Sequence, residues 1–208
     1  SSAFITTKPL IDNSDPFSAL AFRFLIVTIG FFLFSLYSKQ KIFVSKRNFI
    51  ESFFSGVLFH GFYLGGVFFS ISKGMPTGIA ALIVTLQPIL TNALSGPILN
   101  EKVTIKQWVG VLLGFSGAVL VLGLDIGSNI PVIGLVATII ALIAITFSTI
   151  WQKKLSNNLP LSVSNMYQAL GGVSFHIIIM IFFAKPYVNF TQTFIIAMSH
   201  QIFLVSFG

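Results

Sequence analysis

Seven stretches of this chain contain no Asp, Glu, Lys or Arg: residues 24 to 38, 52 to 72, 74 to 100, 107 to 124, 126 to 152, 155 to 184 and 186 to 208. Most reach the ~20 residues that carry a helix across the hydrocarbon core of a bilayer. Only 8% of the residues are charged and 55% are hydrophobic, where soluble domains carry roughly 25% charged residues. Such a chain cannot cover a water-facing surface, so its solvent is lipid. A transmembrane barrel would alternate apolar and polar residues over segments of about ten. Runs such as FFLFSLY and ATIIALIAI do not alternate. The fold class is therefore all-α, a multi-pass transmembrane helical bundle, with the bilayer as its first partner.

A net charge of +7 would direct attention to nucleic acid in a soluble chain. Here the cations are topogenic and no nucleic-acid partner is expected. Lys39, Lys41, Lys46 and Arg47 follow one apolar run, Lys102 and Lys106 another, and Lys153 and Lys154 a third. These alternate loops are read as cytoplasmic. The other loops hold Lys8, Lys73 and Lys185. With that constraint the spans fall on an outward helix ending near Leu10, then about 17 to 38, 49 to 71, 76 to 99, 104 to 124, 131 to 152, 161 to 183 and 191 onward. Asp15-Pro16, Met75-Pro76, Asn129-Ile130-Pro131 and Leu159-Pro160 punctuate the predicted boundaries. The chain has no cysteine, which excludes disulfides and thiolate metal sites, and no metal or cofactor is expected.

Both ends read as cut: there is no initiator Met, the first apolar segment is too short to cross a membrane, and the last residues, LVSFG, are still apolar. A faint repeat accompanies this. SSAFITTKPLI before Pro16-Phe17-Ser18 matches ITFSTIWQKKL before Pro160-Leu161-Ser162 at an offset of 144 residues. Five predicted helices separate the copies, so the second is inverted, as in many transporters.

The polar residues inside the spans are patterned. In the fourth, Thr77, Gly78, Ala81, Thr85, Pro88, Asn92 and Ser95 share a face, opposite Ile79, Leu82, Ile83, Leu86, Leu90 and Leu94. Pro88 cannot donate to the Val84 carbonyl, which leaves a polar group needing a partner at mid-membrane depth. Similar stripes run through Ser52, Gly56, His60, Tyr63, Val67 and Ser70; through Gly134, Thr138, Ala141, Thr149 and Gln152; and through Asn165, Gln168, Gly172 and His176. Small-polar stripes also serve close helix packing, yet four of them together imply a shared polar interior. His60 and His176 are the mid-span groups that titrate near neutrality. Arg23 is expected to snorkel or to pair with Asp15, the alternative being contact with an anionic substrate. Gln87 falls outside the stripe and has no assigned role.

Gly114-Phe115-Ser116-Gly117 matches the GxSG of intramembrane serine proteases, with His176 available as a base. Against that reading, Gly110, Gly114, Gly117 and Gly123 form a packing series in which Ser116 is one small residue, and no enzymatic activity is expected. An uncoupled facilitator or exchanger and a non-transporting scaffold are the remaining alternatives to a transporter.

The stretch AALIVTLQPILTNALSGPILNEKVTIKQWVGVLLGFSGAVLVLG, residues 80 to 123, resembles the fourth and fifth helices of EamA-type permeases of the drug/metabolite transporter superfamily, with Pro88 mid-helix, Asn100-Glu101 at the inner end and glycine spacing after Trp108. DPFSALAFRFLI, with Arg23, resembles the second helix, and Lys8 stands where the first often has Lys. The resemblance implies part of a ten-helix transporter of two inverted five-helix repeats: residues 1–124 as the first, its first helix truncated, and 131–208 as an incomplete second ending within the eighth helix. It implies alternating-access transport, commonly export, of amino-acid-like or other small polar solutes across a plasma membrane, the bacterial inner membrane. Helices three and four would line the pathway with His60, Tyr63, Thr85, Pro88 and Asn92, joined from the other stripes by Thr149, Asn165, Gln168 and His176. The fifth helix would be scaffold or a homodimer contact.

Overall fold

Proline and short polar caps start the helices. Pro16 opens the second one, and the Asp15 carboxylate accepts from the Ser18 amide at 2.9 Å and the Ser18 hydroxyl at 3.0 Å. Ser45 and Thr191 cap two more through the amides of Asn48 and Phe194. The computed structural model describes residues 2–99, 103–122, 130–154, 159–183 and 185–207. Their helices are α1 (Ser2–Ile11), α2 (Pro16–Tyr37), α3 (Lys46–Ser72), α4 (Thr77–Leu99), α5 (Ile105–Leu122), α6 (Val132–Lys154), α7 (Leu161–Phe183) and α8 (Gln192–Ser206). No strand is present among the described residues beyond one bridge, Ser14 to Val188.

By length and apolar composition α2, α3, α4, α6 and α7 can each cross a bilayer. Their outward faces are greasy: Leu25, Ile29 and Leu33 on α2, Ile139 and Ile143 on α6, and Ile178 and Ile181 on α7 are exposed. A continuous apolar exterior of this kind needs acyl chains around it. The protein is a multi-pass membrane protein.

Side by side the order is α2, α7, α3, α6, α4, α5, with α1 and α8 paired against one end of the α2 and α3 surfaces. The centre of this row is the approach of α3 to α7, and glycine makes it. A methyl group at Gly56 would stand 1.9 Å from the Gln168 carbonyl oxygen, and one at Gly171 2.3 Å from the Phe53 carbonyl oxygen. Backbone lies against backbone here, so no side chain can yield. Between Val57 and Leu64, α3 widens into a π-helix, a form frequent at functional sites. Further along, Ser70 donates to the Gly134 carbonyl at 2.7 Å and meets the Thr138 hydroxyl at 2.6 Å, which fixes α3 on α6.

The fourth helix corrects the sequence reading in two ways. It is interrupted at Thr85 and Leu86, so it runs as two segments, and at the break the Thr85 hydroxyl donates to the Leu82 carbonyl at 2.6 Å. Its burial also cuts across the two faces read from sequence. Ala80, Leu82 and Val84 are buried, Ile79 and Ile83 pack on the core, Pro88 is exposed, and a methyl group at Gly78 would touch nothing. Of the small-polar stripe, Ser95 is buried, Thr85 and Asn92 are half-buried and Pro88 is exposed. On α5, methyl groups at Gly110, Gly114 and Gly117 would likewise meet nothing within 4 Å among the described residues; Gly123 lies outside them.

Gly56→Ala should therefore cost about 1–3 kcal/mol, the usual range for overpacking a tight contact, and lower the thermal midpoint in detergent. Gly78→Ala, in open space on a helix, should leave the midpoint unchanged or raise it.

Candidate functional site

Where the middle of α3 faces α2 and α7, side chains stop short of filling the space. A cavity of roughly 370 Å³ lies between them, within the size range of small-molecule sites. His60 and Tyr63 come from the π-helical part of α3, Asn165 and Gln168 from α7, Gln152 from α6, and Arg23 with Phe24, Val27 and Phe31 from α2. Residues of α1 and Gln201, Val205 and Ser206 of α8 complete the wall. On α2, α6 and α7 these residues sit from mid-depth toward the end that carries the basic loops, while on α3 Phe59 to Phe68 run from mid-depth toward the opposite end.

A second recess, roughly 660 Å³, opens at the opposite end and is lined by Lys8, Asp12, Asp15, Pro76, Thr77 and Tyr187 among others. The two share no lining residue. On α1 the cavity touches residues up to Thr7 and the recess begins at Lys8; on α3 the cavity reaches Phe68 and the recess begins at Ile71. Leu20, 0% exposed, lies on α2 between Pro16 of the recess and Arg23 of the cavity, and Leu10 and Phe68, no more than 1% exposed, belong to the same buried core. The recess end is drawn together by backbone bonds from Asp15 to Tyr187 at 3.0 Å and from Asn189 to Asn13 at 2.8 Å.

Arg23 is 3% exposed and does not pair with Asp15. Eight residues separate them on or beside one helix, about 12 Å at 1.5 Å per residue, and Asp15 is already engaged as a cap. The guanidinium donates instead from Nη1 to Gln201 Oε1 at 2.6 Å and from Nε and Nη2 to Ser206 Oγ at 3.1 and 3.0 Å. Gln201 has no rotational choice, because its Nε2 donates to the Ala3 carbonyl at 2.9 Å and the Thr6 hydroxyl at 2.8 Å. Its oxygen is thereby aimed at Arg23, and α1, α2 and α8 are joined through one buried amide. Gln201 was not singled out from sequence; a Gln within an apolar run was the available signal.

His60 and His176 behave differently from each other. His60 lies on the cavity wall with its ring 4.3 Å from that of Phe24, and its Nδ1 is buried without a hydrogen-bond partner. His176 is fully buried behind it. A carbonyl only accepts, so His176 Nε2 carries the hydrogen it gives to the His60 carbonyl at 3.0 Å, which ties α7 to the π-helical turn.

Of the nine residues expected on the pathway, the structure brings His60, Tyr63, Asn165 and Gln168 together on this cavity. Thr85, Pro88, Asn92, Thr149 and His176 do not line it. Thr149 donates to the Ile145 carbonyl and receives Gln87 Nε2 at 3.1 Å, while Gln87 also reaches Thr91. Gln87 thus clips α4 to α6. Ser116 donates to the Leu112 carbonyl on its own helix at 2.9 Å, and His176 is committed to His60, so the geometry does not assemble a serine–histidine dyad. Among the described residues no group of His, Asp and Glu is arranged to hold a metal ion.

Comparison with known proteins decides the family, since residues 1–123 match the model of the EamA-like transporter family. The chain belongs to the EamA-like transporter family. An "Uncharacterized transporter in sor 3'region" of Acidianus ambivalens is 31% identical over 82% of this chain and 64% of its own length. The "Uncharacterized transporter YvbV" of Bacillus subtilis is 23% identical over 64% of this chain and 48% of its own. A protein of Salmonella typhimurium named "Probable amino-acid metabolite efflux pump" is 24% identical over 76% of this chain and 50% of its own. This EamA-like chain spans about half to two thirds of the length of the curated relatives it matches.

His176→Phe retains an aromatic ring but removes the donor to the His60 carbonyl. A loss of about 1–3 kcal/mol is expected for a buried acceptor left unpaired, read as a lower thermal midpoint.

Proposed function

We propose that this protein is part of a secondary transporter that exports small polar or amino-acid-like metabolites across a plasma membrane by alternating access. The observation that carries the reading is the cavity at the centre of a multi-pass EamA-like chain, with Arg23, His60, Tyr63, Asn165 and Gln168 on its wall and buried apolar residues between it and the recess at the other end. By the positive-inside rule the basic end is cytoplasmic, and Gln152, Asn165 and Gln168 lie toward it on α6 and α7, the side from which an exported solute would be loaded. The name of the Salmonella relative supports the direction and the substrate class.

In this reading residues 1–124 form one five-helix repeat and 131–208 belong to a second, inverted one, completing a ten-helix transporter. The polar stripe of α4, with Thr85 and Asn92, then faces helices of that second repeat, and His60, Tyr63, Asn165 and Gln168 contact solute. Rocking of one repeat against the other moves the buried apolar residues Leu10, Leu20 and Phe68 out of the path.

Cells expressing the gene that encodes this chain should accumulate less of a radiolabelled solute, from a panel of neutral and acidic amino-acid metabolites, than vector controls. Gln168→Trp fills the cavity and should abolish the difference at unchanged membrane expression. Equal accumulation across the panel, or full export by Gln168→Trp, would count against a transport pathway here.

A further inference from the structure

We propose that the cavity selects small organic acids, with Arg23 as the docking point for a single carboxylate and Phe24, Phe31 and Phe59 as the surface for an apolar body. This rests on the reading of the cavity as a solute pathway and adds the charge of the solute to it.

Arg23 is a buried cation whose partners are all neutral. A guanidinium offers five N–H groups. Three are used, on Gln201 and Ser206, so one hydrogen on each terminal nitrogen remains beside the cavity that the residue lines. Among the described residues no carboxylate lines that cavity. Of the acidic residues described, Asp12 is exposed at the recess end, Asp15 caps α2, and Glu51 pairs with Arg47 at 2.8 Å. Charged side chains within membrane spans normally pair or face a functional cavity, and here only the second condition is met among the described residues.

The site is also held rigid for a ligand. Gln201, locked by Ala3 and Thr6, and Ser206 fix the guanidinium on two sides, and its carbon stands 5.1 Å from the centre of the Phe24 ring. Arginine presents planar paired donors that match a carboxylate. One cation matches one negative charge, which favours a carboxylate over a doubly charged phosphate. An ammonium group finds no acidic partner on the wall, so a cation is repelled and a zwitterion gains only through its carboxylate. The remaining wall of Val27, Leu64, Val67 and Phe68 is apolar and suits an aromatic or branched hydrocarbon body.

The chain has no native cysteine, so Asn165→Cys places a single thiol on the cavity wall. In the protein reconstituted into lipid nanodiscs, its reaction with anionic sulfonatoethyl methanethiosulfonate is compared with that of the cationic trimethylammonioethyl reagent, each normalised to its rate with a free thiol. A focused positive field should favour the anion on the order of tenfold. Arg23→Gln should collapse that preference, and phenylacetate should slow labelling where phenylacetamide does not. Should Arg23→Gln fail to fold, Gln201→Glu supplies an internal carboxylate beside an intact Arg23 and should remove the preference in the same way. Equal normalised rates, a preference that survives both variants, or equal protection by acid and amide would overturn the proposal while leaving the pathway intact. Failure of both reagents to react would overturn the pathway reading itself and this proposal with it.

Discussion

The architecture depends on two backbones being allowed to touch. Gly56 and Gly171 let α3 and α7 approach until carbonyl oxygens stand where side chains would otherwise begin. Lipid offers no hydrophobic drive between apolar helices, so close van der Waals contact of this kind carries the association. Because the contact is so short at this point, Gly172 can receive His60, and Phe24 of α2 lies within reach of both. The row of helices and the position of the cavity follow from that seam.

Polar groups in the bundle divide into two kinds. Ser70 with Thr138, Gln87 with Thr149, and His176 with the His60 carbonyl are satisfied contacts between helices. Around the cavity the demand is left open: His60 Nδ1 has no partner, Asn165 has no hydrogen bond among the described residues, and Arg23 retains donors. Burying a polar group without a partner is costly in a protein interior and more so in hydrocarbon. Away from the cavity, Ser55 Oγ and His176 Nδ1 are also buried without a partner, so it is the free space beside His60, Asn165 and Arg23 that distinguishes this place from the packing stripes.

Much of the fold was legible in the sequence because bilayer thickness and proline are strong constraints. A span read at about 17 to 38 is Pro16–Tyr37, and 161 to 183 is Leu161–Phe183. Periodicity was less informative about direction. It marks a small-polar stripe on α4, but which residues turn inward depends on the neighbours, which bury Ala80, Leu82 and Val84 in the first segment and Ser95 in the second. Four of the pathway residues meet at the cavity because α3 and α7 are central. Thr85, Pro88 and Asn92 do not, because α4 sits toward the rim, and Thr149 on α6 is turned to Gln87 of α4 instead. The Arg23 to Gln201 bond, between residues 178 apart, leaves no local pattern at all.

The widened stretch of α3 from Val57 to Leu64 has a mechanical corollary. A π-helix is an α-helix that has absorbed surplus chain, and each residue passed back into ordinary winding turns the rod beyond it by about 100°. His60 and Tyr63 sit on this slack segment, while the Ser70 end is pinned to α6 and the Gly56 end to α7. Torsion generated at either clamp is therefore delivered to the two rings on the cavity wall, much as a twisted cable takes up its turns where the lay is loosest.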